Sequence, residues 1–167
     1  MEGPIAIVGY MGSGKGTVGR MLARSLGWGF VDLDREISRS AGRTIPHIFD
    51  RFGEERFRDM EHDALVAALD GAPESVVACG GGIVERPENL ERLSRVPTVF
   101  LREDLGVLFA RTRDARRPLR GADRDEFEGR YERRLPLYEG VADLEVVVRG
   151  RPPQAVAKEI ERWISGA

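Results

Sequence analysis

Gly9-Tyr-Met-Gly-Ser-Gly-Lys-Gly-Thr17 follows an apolar run, Ile5 to Val8, and opens onto a helical pattern that begins near Lys15. A glycine-rich turn between a buried strand and a helix is the layout of a phosphate-binding loop. Gly9, Gly14 and Lys15 fit the spacing G-x-x-x-x-G-K, in which glycines let backbone N–H groups turn inward onto phosphate oxygens and the lysine adds a mobile positive charge. The helix that follows aims its positive dipole end at the same anion. Gly12, Ser13, Gly14, Lys15, Gly16 and Thr17 are therefore the candidate phosphate cradle.

The choice of residue strengthens this reading. Of the 26 basic side chains 24 are Arg and 2 are Lys, and one of the two lysines stands where the loop needs it. A compact ammonium fits a cradle that a planar guanidinium would overfill. Gly14-Lys-Gly-Thr-Val-Gly19 also spells a dinucleotide fingerprint, with Asp34 about twenty residues on. That fingerprint should follow its strand at once, whereas five residues separate Val8 from Gly14, and the lysine would have no task. One position departs from the phosphate-loop pattern. The motif wants Ser or Thr after the lysine to bind Mg²⁺, but the chain has Gly16, with Thr17 one place later. Either Thr17 substitutes or the metal is held through water.

A chain of 167 residues with 41% hydrophobic content, and without internal repeats or low-complexity linkers, is expected to form one domain over residues 1–167. A net charge of −2 and a pI near 5.8 argue against a polyanion-binding protein, so no nucleic-acid partner is expected. The single Cys79 excludes an internal disulfide and a thiolate-rich metal site, as suits a reducing cytoplasm. The N-terminus lacks a basic leader and no apolar run approaches a membrane span. The expectation is a cytoplasmic protein with no membrane partner.

Beyond the loop, strands and helices alternate. Helix one should run from Lys15 to Leu26, burying Val18, Leu22 and Leu26 and stopping at Gly27. Phe30 to Asp34 reads as a second strand with Asp32 and Asp34 on one side, and Asp34 is the natural N-cap of the next helix. Two carboxylates at a strand end near a phosphate loop suggest Mg²⁺ and proton handling. A short helix from Thr44 ends near Gly53, and a longer one from Glu54 to Leu69 carries Phe57, Met60, Ala64 and Ala68 on one stripe. Ile45 and Phe49 are expected in the core beside Phe57. Arg58 lies off the stripe with Glu54 and Glu61 within a turn, the pattern of a surface ion pair. His47 and His62 lack ligand partners and read as non-catalytic.

Ser75 to Ala78 is a third strand, followed by Gly80-Gly-Gly82, a costly run worth keeping where backbone approaches a ligand. A helix over 87–93, a strand over 98–101, a helix capped by Asp104 and reaching Arg111, a helix over 126–141 despite Pro136, a strand over 144–148 and a last helix opened by Pro152 complete the pattern. In that last helix Val156, Ile160, Trp163 and Ile164 form the apolar stripe. The alternation predicts an α/β fold with a parallel sheet covered on both faces. Between Arg111 and Arg134 the chain carries nine arginines with little apolar periodicity. A lid over about 112–125, bringing one or two arginines to a transferring phosphate, is the expected role.

With Gly9 to Thr17, Asp32 and Asp34, Phe57-Arg58, Gly80 to Gly82, Arg117-Pro-Leu119 and Arg134-Leu-Pro-Leu-Tyr138 in this order, the chain resembles the shikimate kinases over nearly its whole length. The resemblance implies a three-layer α/β/α P-loop kinase fold with a five-stranded parallel sheet in the order 2-3-1-4-5. It implies phosphorylation of the 3-hydroxyl of shikimate by ATP with Mg²⁺, in a monomeric enzyme of aromatic amino-acid biosynthesis, with the acid held by a helical segment over about 33–61. Residue by residue, it implies that Lys15 holds the β- and γ-phosphates, Asp34 orients the attacking hydroxyl, and Asp32 supports the metal through water. Arg58 and Arg134 would fork onto the shikimate carboxylate, with Gly80, Gly81 and Gly82 beside it, and Arg117 would swing in with the lid. Arg111 and Pro153 would sandwich the adenine. Gly16 departs from the family, which usually has Ser there. Two rivals remain on sequence alone, another small-molecule or nucleotide kinase and a nucleotide sensor without turnover.

Overall fold

A computed structural model of the chain describes residues 3–112 and 123–166. Five parallel strands, β1 (Ile5–Val8), β2 (Gly29–Asp32), β3 (Ser75–Ala78), β4 (Thr98–Arg102) and β5 (Leu144–Val147), form one sheet in the order β2-β3-β1-β4-β5. The central strand β1 is paired on both edges, with Ala6 opposite Val77 on one side and Thr98 on the other. All four of its residues are fully buried, which is why it reads as a continuous apolar run rather than an alternating one.

Side-chain alternation divides the core in two. Ile5, Ile7, Val76 and Val99 point to one face, where Val18 and Leu22 of α1 (Lys15–Leu26) and Val156, Ile160 and Ile164 of α7 (Pro153–Ser165) cover them. Ala6, Val8, Val77 and Phe100 point to the other face. There they meet Leu65 and Leu69 of α3 (Ile45–Asp70), Leu93 of α4 (Pro87–Leu93), Leu108 of α5 (Leu105–Arg111) and Tyr138 of α6 (Arg124–Val141). Each large aliphatic chain so buried contributes about 1.5–3 kcal/mol. Trp163 only partly enters the α7 interface. Among the described residues no helix is long and apolar enough to cross a membrane.

A third, smaller cluster joins Ile37 of α2 (Leu33–Ala41) to Ile48 and Phe57 of α3, with Ile45 and Phe49 only partly buried against it. Helix α3 is broken at Gly53, whose φ of 80° and ψ of 173° interrupt the helical backbone. Few side chains adopt that conformation, so the glycine divides the helix into the two limbs that the sequence pattern suggested.

Several local expectations are corrected. Strand β2 ends at Asp32, not Asp34, and it is the Asp32 carboxylate that caps α2 by accepting from the Arg35 N–H at 3.3 Å. Asp34 sits inside the first turn of α2. On the long limb of α3 the buried face is Phe57, Arg58, Glu61, Leu65 and Leu69, so the stripe is rotated and carries charge into the interior; Met60, Ala64 and Ala68 are only partly buried. Strand β4 continues to Arg102, strand β5 stops at Val147, and α6 starts at Arg124, two residues before its expected position, because Asp123 caps it through the Glu126 N–H. Pro136 lies within α6 without ending it. Of the segment 112–125, Thr112 is a buried C-cap of α5 and Asp123 to Asp125 open α6, while 113–122 lie outside the described residues.

Candidate active site

Ligands of open parallel sheets bind at the carboxyl ends of the strands, and here three strand ends converge. The loop after β1 contributes Gly12 and Gly14 to Thr17, the end of β2 brings Asp32 and then Asp34, and the turn after β3 brings Gly80 and Gly81. Together with Arg111 they line a cavity of about 560 Å³, a size suited to small-molecule ligands.

Within the loop, Gly14 takes a left-handed conformation (φ 92°) and is the N-cap of α1, so the first N–H groups of that helix face the cavity with no side chain capping them. Lys15 Nζ donates to the carbonyls of Gly9 at 2.8 Å and Tyr10 at 2.9 Å, which holds its charge against the loop. Ser13 is completely buried and its Oγ has no hydrogen-bond partner. Thr17 is exposed but borders the cavity, as does Gly16. A Cβ on Gly16 would lie 3.5 Å from Asp32 Oδ2, an ordinary contact, so this position faces the carboxylate directly.

Behind the glycine triplet lies an ionic cluster. Arg58 is only 7% exposed, and it is no surface pair: Nη1 donates to Glu61 at 2.6 Å, and Nη2 pairs with Glu54 at 3.2 Å and Glu85 at 3.0 Å. Arg134, 2% exposed, donates from Nε to the second oxygen of Glu85 at 3.0 Å and lies over the Tyr10 ring. The glycines fit between these charges. A Cβ on Gly80 would stand 2.3 Å from Glu61 Oε1 and 3.3 Å from Asp34 Oδ1, and one on Gly82 would stand 2.2 Å from Arg58 Nη1. Gly81 is fastened by its carbonyl, which accepts from the Tyr138 hydroxyl. Burial pushes the Glu61 carboxyl up, opposed by Arg58 at hydrogen-bond distance. Burial also raises Glu85, but the Arg134 hydrogen bond and charge, with Arg58, outweigh it and hold that carboxyl below the usual glutamate range.

The structure thus brings together the loop residues, Asp32, Asp34 and the glycine triplet, with Arg58 and Arg134 directly behind. Arg111 reaches the loop as well, donating to the Gly12 carbonyl at 3.2 Å. Pro153 opens α7 and does not line the cavity. Arg117 lies outside the described residues. Three acids escaped sequence reasoning. Glu61 had been read as a surface partner of Arg58, whereas Glu85, at the end of a 3-10 turn (Ile83–Glu85), and Glu103 carry no periodic signal at all. The Glu103 side chain is fully buried and pairs with Arg111 at 3.2 Å. His47 meets Arg43, and His62 meets Asn89, both remote from the cavity wall.

Among the described residues no three His, Cys, Asp or Glu side chains gather as a metal centre. That composition fits Mg²⁺, which keeps several waters and is bound by one or two carboxylates together with substrate phosphates. Asp32 and Asp34 beside the loop supply such a pair.

Comparison with known proteins agrees with the geometry. The shikimate kinase family model matches residues 11–165. A shikimate kinase from Thermodesulfovibrio yellowstonii is 38% identical, covering 97% of both chains, and one from Synechococcus sp. (strain CC9902) is 44% identical over 93% of this chain and 83% of its own. The solved shikimate kinase from Acinetobacter baumannii in complex with shikimate superposes with a TM-score of 0.93 at 36% identity, covering 98% of this chain and 93% of that one. The chain therefore belongs to the shikimate kinase family.

Proposed function

We propose that the cavity over the phosphate loop is where the family's reaction is run: ATP, with Mg²⁺ as cofactor, phosphorylates the 3-hydroxyl of shikimate to give shikimate 3-phosphate and ADP. The observation that carries this assignment is that Lys15 and Asp34 border the same cavity, which Gly80 and Gly81 also line, with two buried guanidiniums behind the glycine turn.

Phosphoryl transfer of this type depends on positioning and charge neutralisation rather than on covalent catalysis. The N–H groups at the start of α1 and the Lys15 ammonium receive the β- and γ-phosphates, while Arg111, braced by Glu103 and Gly12, stands at the nucleotide end with Pro153. Arg117 is assigned on resemblance alone to neutralise charge on the transferring group. Asp34 holds the acceptor hydroxyl in line and takes its proton. Arg58 and Arg134 hold the substrate carboxylate across the glycine triplet, which lets the acid lie flat on backbone. When bound, Mg²⁺ neutralises phosphate charge, and Asp32, Asp34 and the Thr17 hydroxyl are the groups that would hold it, directly or through its waters.

The helical segment over about 33–61 is read as the acid-binding part and 112–125 as the lid of the single domain. We read the enzyme as a cytoplasmic monomer acting on small molecules, with neither nucleic acid nor membrane as partner. The balanced charge supports this. So does a buried free Cys79, whose thiol burial pushes up to about 12 and leaves inert.

The test is ADP release from ATP and Mg²⁺ with and without shikimate. Release that depends on shikimate is the expected result. Release that depends on AMP or gluconate, or ATP binding with no release, overturns the assignment.

A further inference from the structure

Glu85 has a task that neither the phosphate loop nor the base explains. Its two oxygens are divided between two buried cations, Oε2 to Arg58 Nη2 and Oε1 to Arg134 Nε, each at 3.0 Å. These are the guanidiniums to which the acid subsite is assigned above, and the inference rests on that assignment. For Arg134 it is the only carboxylate partner found among the described residues. Arg58 has two more, Glu61 in the interior and Glu54, whose side chain is half exposed at the rim.

Two guanidiniums this close and this buried repel one another and are costly to leave unpaired. Glu61 in the interior and Glu85, whose side chain is 34% exposed, bring the cluster to two positive and two negative groups. Arg134 has contacts besides Glu85. Its guanidinium lies 5.6 Å over the Tyr10 ring, and Nη1 lies 3.7 Å from the point where a Cβ on Gly81 would project. Nε therefore turns back to Glu85 while Nη1 faces Gly81, which lines the cavity.

We propose that Glu85 is a resident counter-ion that sets the charge of the acid subsite and so its selectivity: a singly charged carboxylate is admitted, and a dianion is opposed. With Glu85 present the subsite is close to neutral, so an incoming carboxylate gains hydrogen bonds from fixed donors but little net Coulomb attraction. A second negative charge on the ligand meets the Glu85 carboxylate within the same cluster. Without Glu85 the pair of guanidiniums carries an unbalanced positive charge, and the ligand becomes its counter-ion. Glu85 thus weakens substrate binding in exchange for a stable unliganded cluster and discrimination by charge.

The experiment uses the full chain with E85Q and E85A, and R134K as a control. At saturating ATP, KM for shikimate should fall roughly three- to tenfold in both Glu85 variants, the size expected when one nearby carboxylate is removed from a partly screened site. The inhibition constant of sulfate, measured as competition against shikimate, should fall by at least as much, while KM for ATP stays put. Both variants should melt lower than the parent without shikimate and show a larger rise on adding it. Normal KM for ATP and a cooperative melt establish that a variant is folded, and E85A covers the case in which the amide of E85Q misplaces its N–H groups. If R134K raises the shikimate KM while folded E85Q and E85A leave it unchanged or higher, the counter-ion role is overturned and the acid subsite stands. If R134K leaves it unaltered, the subsite assignment is wrong and this inference is overturned with it.

Discussion

Gly82 lies against the guanidinium of Arg58 so closely that a methyl group on it would stand 2.2 Å from Nη1 and 2.4 Å from Nη2. The clash falls on the end of a side chain, which can move, and not on backbone. Gly82→Ala should therefore cost only about 1–3 kcal/mol of stability. Displacing Arg58 from its three carboxylates should raise KM for shikimate about tenfold, or about 1.4 kcal/mol, with KM for ATP little changed. Thermal melts and initial rates check this, and an unaltered shikimate KM would mean that Arg58 does not contact the acid.

Asp34 stands in the first turn of α2 on the cavity wall, and its Oδ1 lies near the Gly80 backbone. Asp34→Asn keeps the shape but removes the carboxylate proposed as proton acceptor. Turnover should fall by about 10²–10⁴, the usual contribution of a positioned base, with ATP affinity retained. Rapid-quench and nucleotide-binding measurements separate the two effects, and near-normal turnover would refute the assignment.

Gly16 leaves room for a small side chain facing Asp32 Oδ2. Gly16→Ser places a hydroxyl beside the carboxylate, and half-maximal activity should be reached at lower Mg²⁺. A magnesium titration that overlays the parent's would show that Asp32, Asp34 and Thr17 already suffice.

Glu85 also predicts an acid response. Its folded-state carboxyl is held below the usual range, since Arg134 and Arg58 overcome the effect of burial. A depressed acid stabilises the fold above its unfolded-state pKa, and that contribution is lost as pH falls through the folded-state value. Parent and E85Q should therefore differ in urea midpoint near neutrality and converge as the pH falls below the ordinary glutamate range. Glu61 acts in the opposite sense, because burial raises it, but it is present in both proteins and leaves the difference intact. A gap that persists at low pH would count against the ion pair.

The strands and the cradle were legible because each rests on local grammar, whereas the sheet order came from the family resemblance alone. Buried strands read as apolar runs, and the loop has a spacing that few other turns share. The capping of α2 was misassigned because Asp32 and Asp34 are equally good caps, and only the point where β2 stops pairing with β3 decides between them. The acid subsite was half legible. Glu54 and Glu61 each lie within about one helical turn of Arg58, which on an exposed helix means a solvated face; what buries Arg58 and Glu61 is the glycine turn from β3, about twenty residues later. Glu85 and Glu103 were out of reach, since each is defined by its partner, Arg134, distant in sequence, for the first, and Arg111, placed by tertiary packing, for the second.

The small cluster of Ile37, Ile48 and Phe57 is separate from both large cores, and Gly53 interrupts the helix that would otherwise stiffen it. Segments with few ties to the main core open at lower free energy than the whole molecule. The corner formed by α2 and the first limb of α3 should consequently breathe as a unit while the sheet stays shut, exchanging its amide hydrogens sooner than β1 or β3. Arg58 follows Phe57 directly, so each such opening would loosen one of the two guanidiniums proposed to hold the acid, giving the substrate a way out that leaves the nucleotide undisturbed.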